Sequence, residues 1–210
     1  MRYILEFVEF ASIILTAPHS VVVAARQFER QSRYALLCSA LASISLATGI
    51  FYARSSYRLS FLVLIPILAG MIFLFHRFYS RLLSARLLQH LMNSPAPMAQ
   101  REGISTTLST LLESSFFPGL FILPVCITAR EFTMPALLLI PGIAAISFWI
   151  LYIQFSGVRF IMETQKRPTV MLLLRNHLML ATYPFLAIYV GMLLLISLTG
   201  IRCWANRRSC

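Results

Sequence analysis

The chain has 210 residues, 59% of them hydrophobic, with a mean hydropathy of +0.78 and 12% charged side chains, about half the charged share of an ordinary soluble domain. Eighteen Lys and Arg stand against seven Glu and no Asp, a net charge of +11. The composition excludes a disordered chain and a disulfide-stapled secreted domain, and the basic residues fall in short clusters between apolar runs, the pattern of an integral membrane protein rather than of a nucleic-acid binder.

The N-terminal segment, residues 1–33, reads as an amphipathic, interfacial piece. Glu6, Glu9, Ser12 and Thr16 recur at spacings of three and four, a narrow polar stripe on an otherwise apolar helix. The uncharged run 10–25 is short for a crossing and is broken by Pro18 and His19, so it is read as lying in the interface, with a sixth span as the alternative. Two glutamates inside the would-be apolar region argue against a cleaved signal peptide.

Residues 34–201 read as an all-α, polytopic bundle of five transmembrane helices. The first span is 34–52. The second, 59–75, carries Pro66 at its middle and ends at His76 and Arg77. The third, 105–128, holds Pro118, Pro124 and the acid Glu113; the fourth, 132–158, holds Pro135 and Pro141; the fifth, 178–201, is free of charge. A short basic tail, 202–210, follows. With five spans, one side of the membrane receives twelve Lys and Arg and the other six, which puts the N-terminus in the cytoplasm and the C-terminus outside.

Between the second and third spans, residues 77–92 read as a cytoplasmic basic amphipathic helix. Arg77, Arg81 and Arg86 are its expected contacts with anionic lipid headgroups; the alternative is that the helix extends the second span and packs on the bundle. In the first span Ala35, Ser39, Ser43 and Ala47 fall every four residues, a row that lets another helix approach closely, whether a helix of the same chain or a second copy.

Glu113 is the acid well inside an expected span and the best single candidate for an intramembrane polar site. A carboxylate there faces the bundle interior as a proton or cation relay, or lies near the headgroups beside Arg101 or His90. The four histidines, His19, His76, His90 and His177, lack metal-ligand spacing, so no metal is expected. No cofactor is expected either: no phosphate-cradling or dinucleotide-binding glycine motif occurs, no nucleophile elbow occurs, and without Asp a Ser-His-Asp triad is impossible. Cys38 and Cys126 are expected to behave as small apolar residues, whereas Cys203 and Cys210 in the tail are free to bridge if it lies outside the cytoplasm.

The order of features over residues 15–198 resembles the Yip family of Ypt/Rab-interacting membrane proteins, in particular its short bacterial members. The segment LLSARLLQHLMNSPAPMAQREGISTTLSTLLESSFFPGLFILP looks like that family's amphipathic segment, loop and proline-bearing third helix, and FWILYIQFSGVRFIMETQKRP, with Trp149 and Gly157, like its fourth helix and basic connection. The resemblance implies a cytosolic N-terminus and a five-helix membrane domain. The eukaryotic members' Asp-Leu-Tyr-Gly-Pro motif cannot occur in a chain without Asp, so no residue inherits a Rab-binding role. The function expected is non-enzymatic: a scaffold or partner-binding subunit in a bacterial inner membrane, with lipid, a protein partner or a second copy as its contacts and no nucleic acid. The rival reading is a small transporter using Glu113.

Overall fold

A computed structural model of the protein describes residues 2–20, 31–53, 60–92, 98–131, 135–162 and 167–180. Among them every regular element is helical, in the order α1 (Arg2–Thr16), a 3-10 turn (Pro18–Ser20), α2 (Gln31–Ala53), α3 (Ser60–Met92), α4 (Met98–Ser114), a second 3-10 turn (Phe117–Phe121), α5 (Ile122–Glu131) and α6 (Pro135–Ile161). Four stretches are long and apolar enough to cross a membrane: Gln31–Tyr52, Val63–Gln89, Gly103–Glu131 and Leu139–Ile161. Among the described residues the protein is all-helical, with four helical stretches that fit an integral membrane protein. The expected fifth span and the pair Cys203 and Cys210 fall mostly or wholly outside the described residues.

Residues 1–170 form one compact unit and 171–210 a second. Of the second, residues 171–180 are described; they are helical, and Asn176 donates its Nδ2 proton to the Leu172 carbonyl.

α1 ends at Thr16 because Pro18 cannot continue the ladder and its ring pushes the preceding residue out of helical geometry. The Ala17 amide closes the last turn on Ile13 O, and the Ser20 amide bonds to Ala17 O. The run 10–25 is therefore not one continuous helix. Phe10, Ala11 and Ile14 form the buried face of α1, while Tyr3, Ile4, Leu5 and Val8 stay exposed. Phe7 and Phe10 lie against Tyr34, with ring centroids 6.1 and 5.8 Å apart, so α1 packs on the start of the first span.

α2 is the centre of the bundle, touching α1, α3, α4, α5 and the second 3-10 turn. Its surface explains why. Tyr34, Ala35, Cys38, Ser39, Ala42, Ser43, Ser45 and Ala47 are all buried, and small side chains on so much of the circumference let several neighbours approach closely. The row Ala35, Ser39, Ser43, Ala47 is thus covered from within the chain.

The expected second span and the basic amphipathic helix after it are one helix. α3 runs unbroken through Pro66, His76 and Arg77 to Met92. Its orientation also differs from that of a helix lying on a leaflet: Ser80, Leu83, Ser84 and Leu87 are buried, while Phe78 and Leu82 are exposed. That arrangement turns the serines toward other helices and leaves an apolar outer face at Phe78 and Leu82, with Arg81 exposed beside it.

The expected third span is broken. Ser114 and Ser115 turn their hydroxyls back onto the carbonyls of Thr110, Leu111 and Leu112, and Pro118 and Gly119 continue as a 3-10 turn before α5 resumes. Pro124, in the first turn of α5, lacks an amide proton that would in any case have no partner there. α6 begins at Pro135 for the same reason and then runs through Pro141. It sits close to the third crossing at two glycines: a methyl group on Gly142 would lie 2.6 Å from Val125 Cγ1, and one on Gly157 would collide with the Leu111 side chain.

Candidate functional site

The buried polar residues of the spans do not scatter. They form a seam on α2 and the faces packed around it, and its register can be read from bonded pairs. Between α2 and the third crossing the helices run parallel. Gly119 meets Ala42, Ser45 Oγ donates to Leu120 O at 2.7 Å and accepts from the Leu123 amide at 3.1 Å, Gly49 meets Cys126, and Arg130 Nη1 donates to Tyr52 O at 3.2 Å. Each pair is offset by a near-constant number of residues, which brings Ser39 level with Phe116.

Between α2 and α3 the helices are antiparallel, because the six residues 54–59 that join them are too few to run back along a span. Their fixed point is Ser43 and His76, whose Oγ and Nδ1 lie 3.2 Å apart. Ser43 already donates its proton to the Ser39 carbonyl at 2.7 Å, so His76 Nδ1 is the donor to Ser43 Oγ. His76 is therefore held as the Nδ1-protonated tautomer, with Nε2 as the acceptor. Its ring is stacked on Phe116, with centroids 4.0 Å apart and planes at 9°, and Tyr79 meets the same Phe116 edge to face at 6.3 Å. One turn beyond His76, Ser80 comes level with Ser39.

α6 supplies the fourth wall. Gln154 Nε2 donates at 3.0 Å to Ser115 Oγ, which itself donates to Leu112 O. Ser39, Ser80, Ser115 and Gln154 thus come from four different elements at one level, all of them buried. Of their polar atoms, Ser39 Oγ, Ser80 Oγ and Gln154 Oε1 have no hydrogen-bond partner. A buried polar atom left unpaired costs about 1–3 kcal/mol, so three at one level are a concentrated expense.

Glu113 is half-buried on α4, and Arg77 and Arg81 of α3 act on its carboxylate electrostatically. The groups that bear on it thus come from the neighbouring helix. Arg77, expected at the lipid surface, has its Nε buried and without a hydrogen-bond partner; Arg81 is exposed, and Arg86 is half-buried. Among the described residues no group of three or more His, Cys, Asp or Glu could hold a metal ion. Cys38 and Cys126 are buried and free.

At the far end of α2 a separate cluster ties helix ends together. Arg130 lies over the Tyr52 ring, 4.7 Å from its centroid, and Tyr52 donates to Glu131 Oε1 at 3.3 Å. At the near end, Tyr34 donates to Glu6 Oε2 at 2.7 Å while Arg2 pairs with Glu6 Oε1 at 2.9 Å. Glu6, expected on a polar stripe facing the interface, thus links α1 to the first span.

Sequence reasoning picks out Glu113 and the small-residue row but misses His76, Ser80, Ser115 and Gln154 as site residues. The signal for two of them is in the sequence: His76, Ser80 and Ser84 fall every four residues, the complement of the Ser39 and Ser43 row. Comparison with known proteins finds no matching family model, no matching curated protein and no matching solved structure.

Proposed function

We propose that the protein is a non-enzymatic, five-span membrane protein of Yip-like type, in a bacterial inner membrane with its N-terminus in the cytoplasm, acting as a scaffold or partner-binding subunit. The observation that carries this reading is the division of its surfaces. Within the bundle, polar side chains join neighbouring helices at particular points, as in the pairs Ser43 with His76 and Ser115 with Gln154. Outward, α3 and α6 present large apolar side chains, among them Met71, Leu74, Phe78, Phe148 and Tyr152. A protein with that division interacts chiefly through its lipid-facing surface, with lipid and with the helices of other membrane proteins. The test is isolation of a tagged copy from its own membrane in mild detergent, with mass spectrometry of what co-purifies. A stoichiometric protein partner is expected; recovery of the chain alone, as a monomer, would sink the reading.

A second reading, a small transporter using Glu113, is supported by the two arginines that act on that carboxylate from α3. Ionisable residues within a span mark ion and proton pathways. On this reading Glu113→Gln abolishes an ion- or proton-coupled flux in reconstituted vesicles while the protein still folds, and an unchanged flux removes it.

A further inference from the structure

The level of the bundle at Ser39 and Ser80 is chemically unfinished in a particular way. Ser39 is 1% exposed and Ser80 0%, and neither hydroxyl has a partner. Arg77, one turn before Ser80 on α3, adds a buried Nε–H that also lacks one. The helix spacing puts Arg77 and Ser80 on neighbouring positions of one face, and the α2–α3 register fixed by Ser43 and His76 sets Ser39 opposite Ser80. Three unpaired groups able to donate a proton thus stand on two helices within one turn of this level, and the unpaired acceptor there is Gln154 Oε1 on α6. The charge beside it is positive as well: the partly buried Arg77 and the exposed Arg81 act on Glu113, and His76 is engaged through Nδ1 with a serine rather than with an acid.

We infer that this level of the bundle is a binding site for a small inorganic anion of the halide class, held by Arg77 Nε, Ser80 Oγ and Ser39 Oγ. Donors to an anion make charge-assisted hydrogen bonds, the strong kind, and a buried site with excess positive charge favours a negative guest over a neutral or cationic one. The size follows from burial, since hydroxyls exposed by 1% or less admit no lipid headgroup. Gln154 Oε1, the unpaired acceptor on α6, fits as the partner of a water carried with the anion, which gives one proton to Gln154 and the other to the guest. Binding at this level does not depend on whether the ion crosses the membrane, so the inference stands apart from both functional readings above.

The test is thermal unfolding of the full chain in detergent, titrated with sodium chloride against sodium gluconate at constant sodium and ionic strength. The unfolding midpoint is expected to rise with chloride and to saturate, because a ligand bound only by the folded state stabilises it. Ser39→Ala and Ser80→Ala each remove one donor and should weaken the apparent chloride affinity about tenfold. In gluconate both variants should unfold at or above the wild-type temperature, because each deletes an unpaired buried hydroxyl, and this comparison shows that they fold. Arg77→Gln should abolish the chloride response. A midpoint indifferent to chloride would mean that water alone fills the site and would overturn the inference. So would a chloride response unchanged in both serine variants, or one that follows sodium against choline at fixed chloride.

Discussion

His76 is the residue where most of the seam's constraints meet. It is buried, stacked flat on Phe116 and bonded through Nδ1 to Ser43. Two contributions can be separated by substitution. His76→Phe keeps an aromatic ring on Phe116 and loses the hydrogen bond, but leaves Ser43 still satisfied through its bond to Ser39 O, so it should cost about 1 kcal/mol or less. His76→Ala removes the ring and leaves a cavity against Phe116, with an expected loss of about 3 kcal/mol or more. Thermal unfolding of both variants in detergent checks the order, and equal losses would show that the stack contributes nothing. In the sequence His76 reads only as a marker of the second span's end, because a histidine beside an arginine is the usual signature of the interface. Its burial is decided by Ser43 and Phe116, on elements that lie far from it along the chain.

At the scale of elements, α2 was legible to within a few residues because an uninterrupted apolar run of that length has one physical use. α3 was legible in its parts but not in its unity. Arg77 and Arg81 look like an exit from the membrane, yet charge does not break a helix, and the period of buried positions simply continues through them to Leu87. The break in the third crossing was not legible either. Prolines are common in membrane helices, and Pro66 and Pro141 sit inside unbroken helices here, whereas Pro118 with Gly119 does not. What differs at that break is the pair of serines just before it, which give the backbone carbonyls an alternative partner.

The contact of α6 with α4 yields a sharper prediction. Gly157→Ala should destabilise the fold by about 1–3 kcal/mol, since the added methyl group collides with Leu111, a side chain with 0% exposure and nowhere to move. Gly70→Ala, where an added methyl group meets nothing within 4 Å, should be neutral or stabilising by up to about 1 kcal/mol. The two variants, unfolded side by side, separate close packing from helix propensity; a loss for Gly157→Ala no greater than that for Gly70→Ala would remove Leu111 as the cause.

For the molecule as a whole, the proposed five-span reading divides the basic residues unequally between the two sides of the membrane. Twelve Lys and Arg against six predict that the connection 54–59 faces out of the cell and the connection 93–97 faces the cytoplasm. With the native cysteines replaced, Ser55→Cys should react with a membrane-impermeant maleimide on intact cells and Ser94→Cys only after lysis. The reverse pattern would invert the orientation. Four of the five expected spans correspond to described stretches long and apolar enough to cross a membrane, and the fifth lies mostly outside the described residues. The seam between them was not legible, because it depends on which faces of separate helices meet, and a single sequence encodes those faces without their partners.

The interrupted third crossing bears on how the protein is made. Within Gly103–Glu131 the α4 portion is about 18 Å long and α5 about 15 Å, each well short of the roughly 30 Å hydrocarbon layer. Neither half is a stable passenger in lipid alone, and the turn between them exposes backbone groups that only protein can satisfy, as Ser45 does for Leu120 and Leu123. The crossing is therefore expected to settle against an α2–α3 hairpin already in place. Synthesis from the N-terminus delivers the segments in that order, so a lesion in the first hairpin should be read out as failed insertion of the third segment.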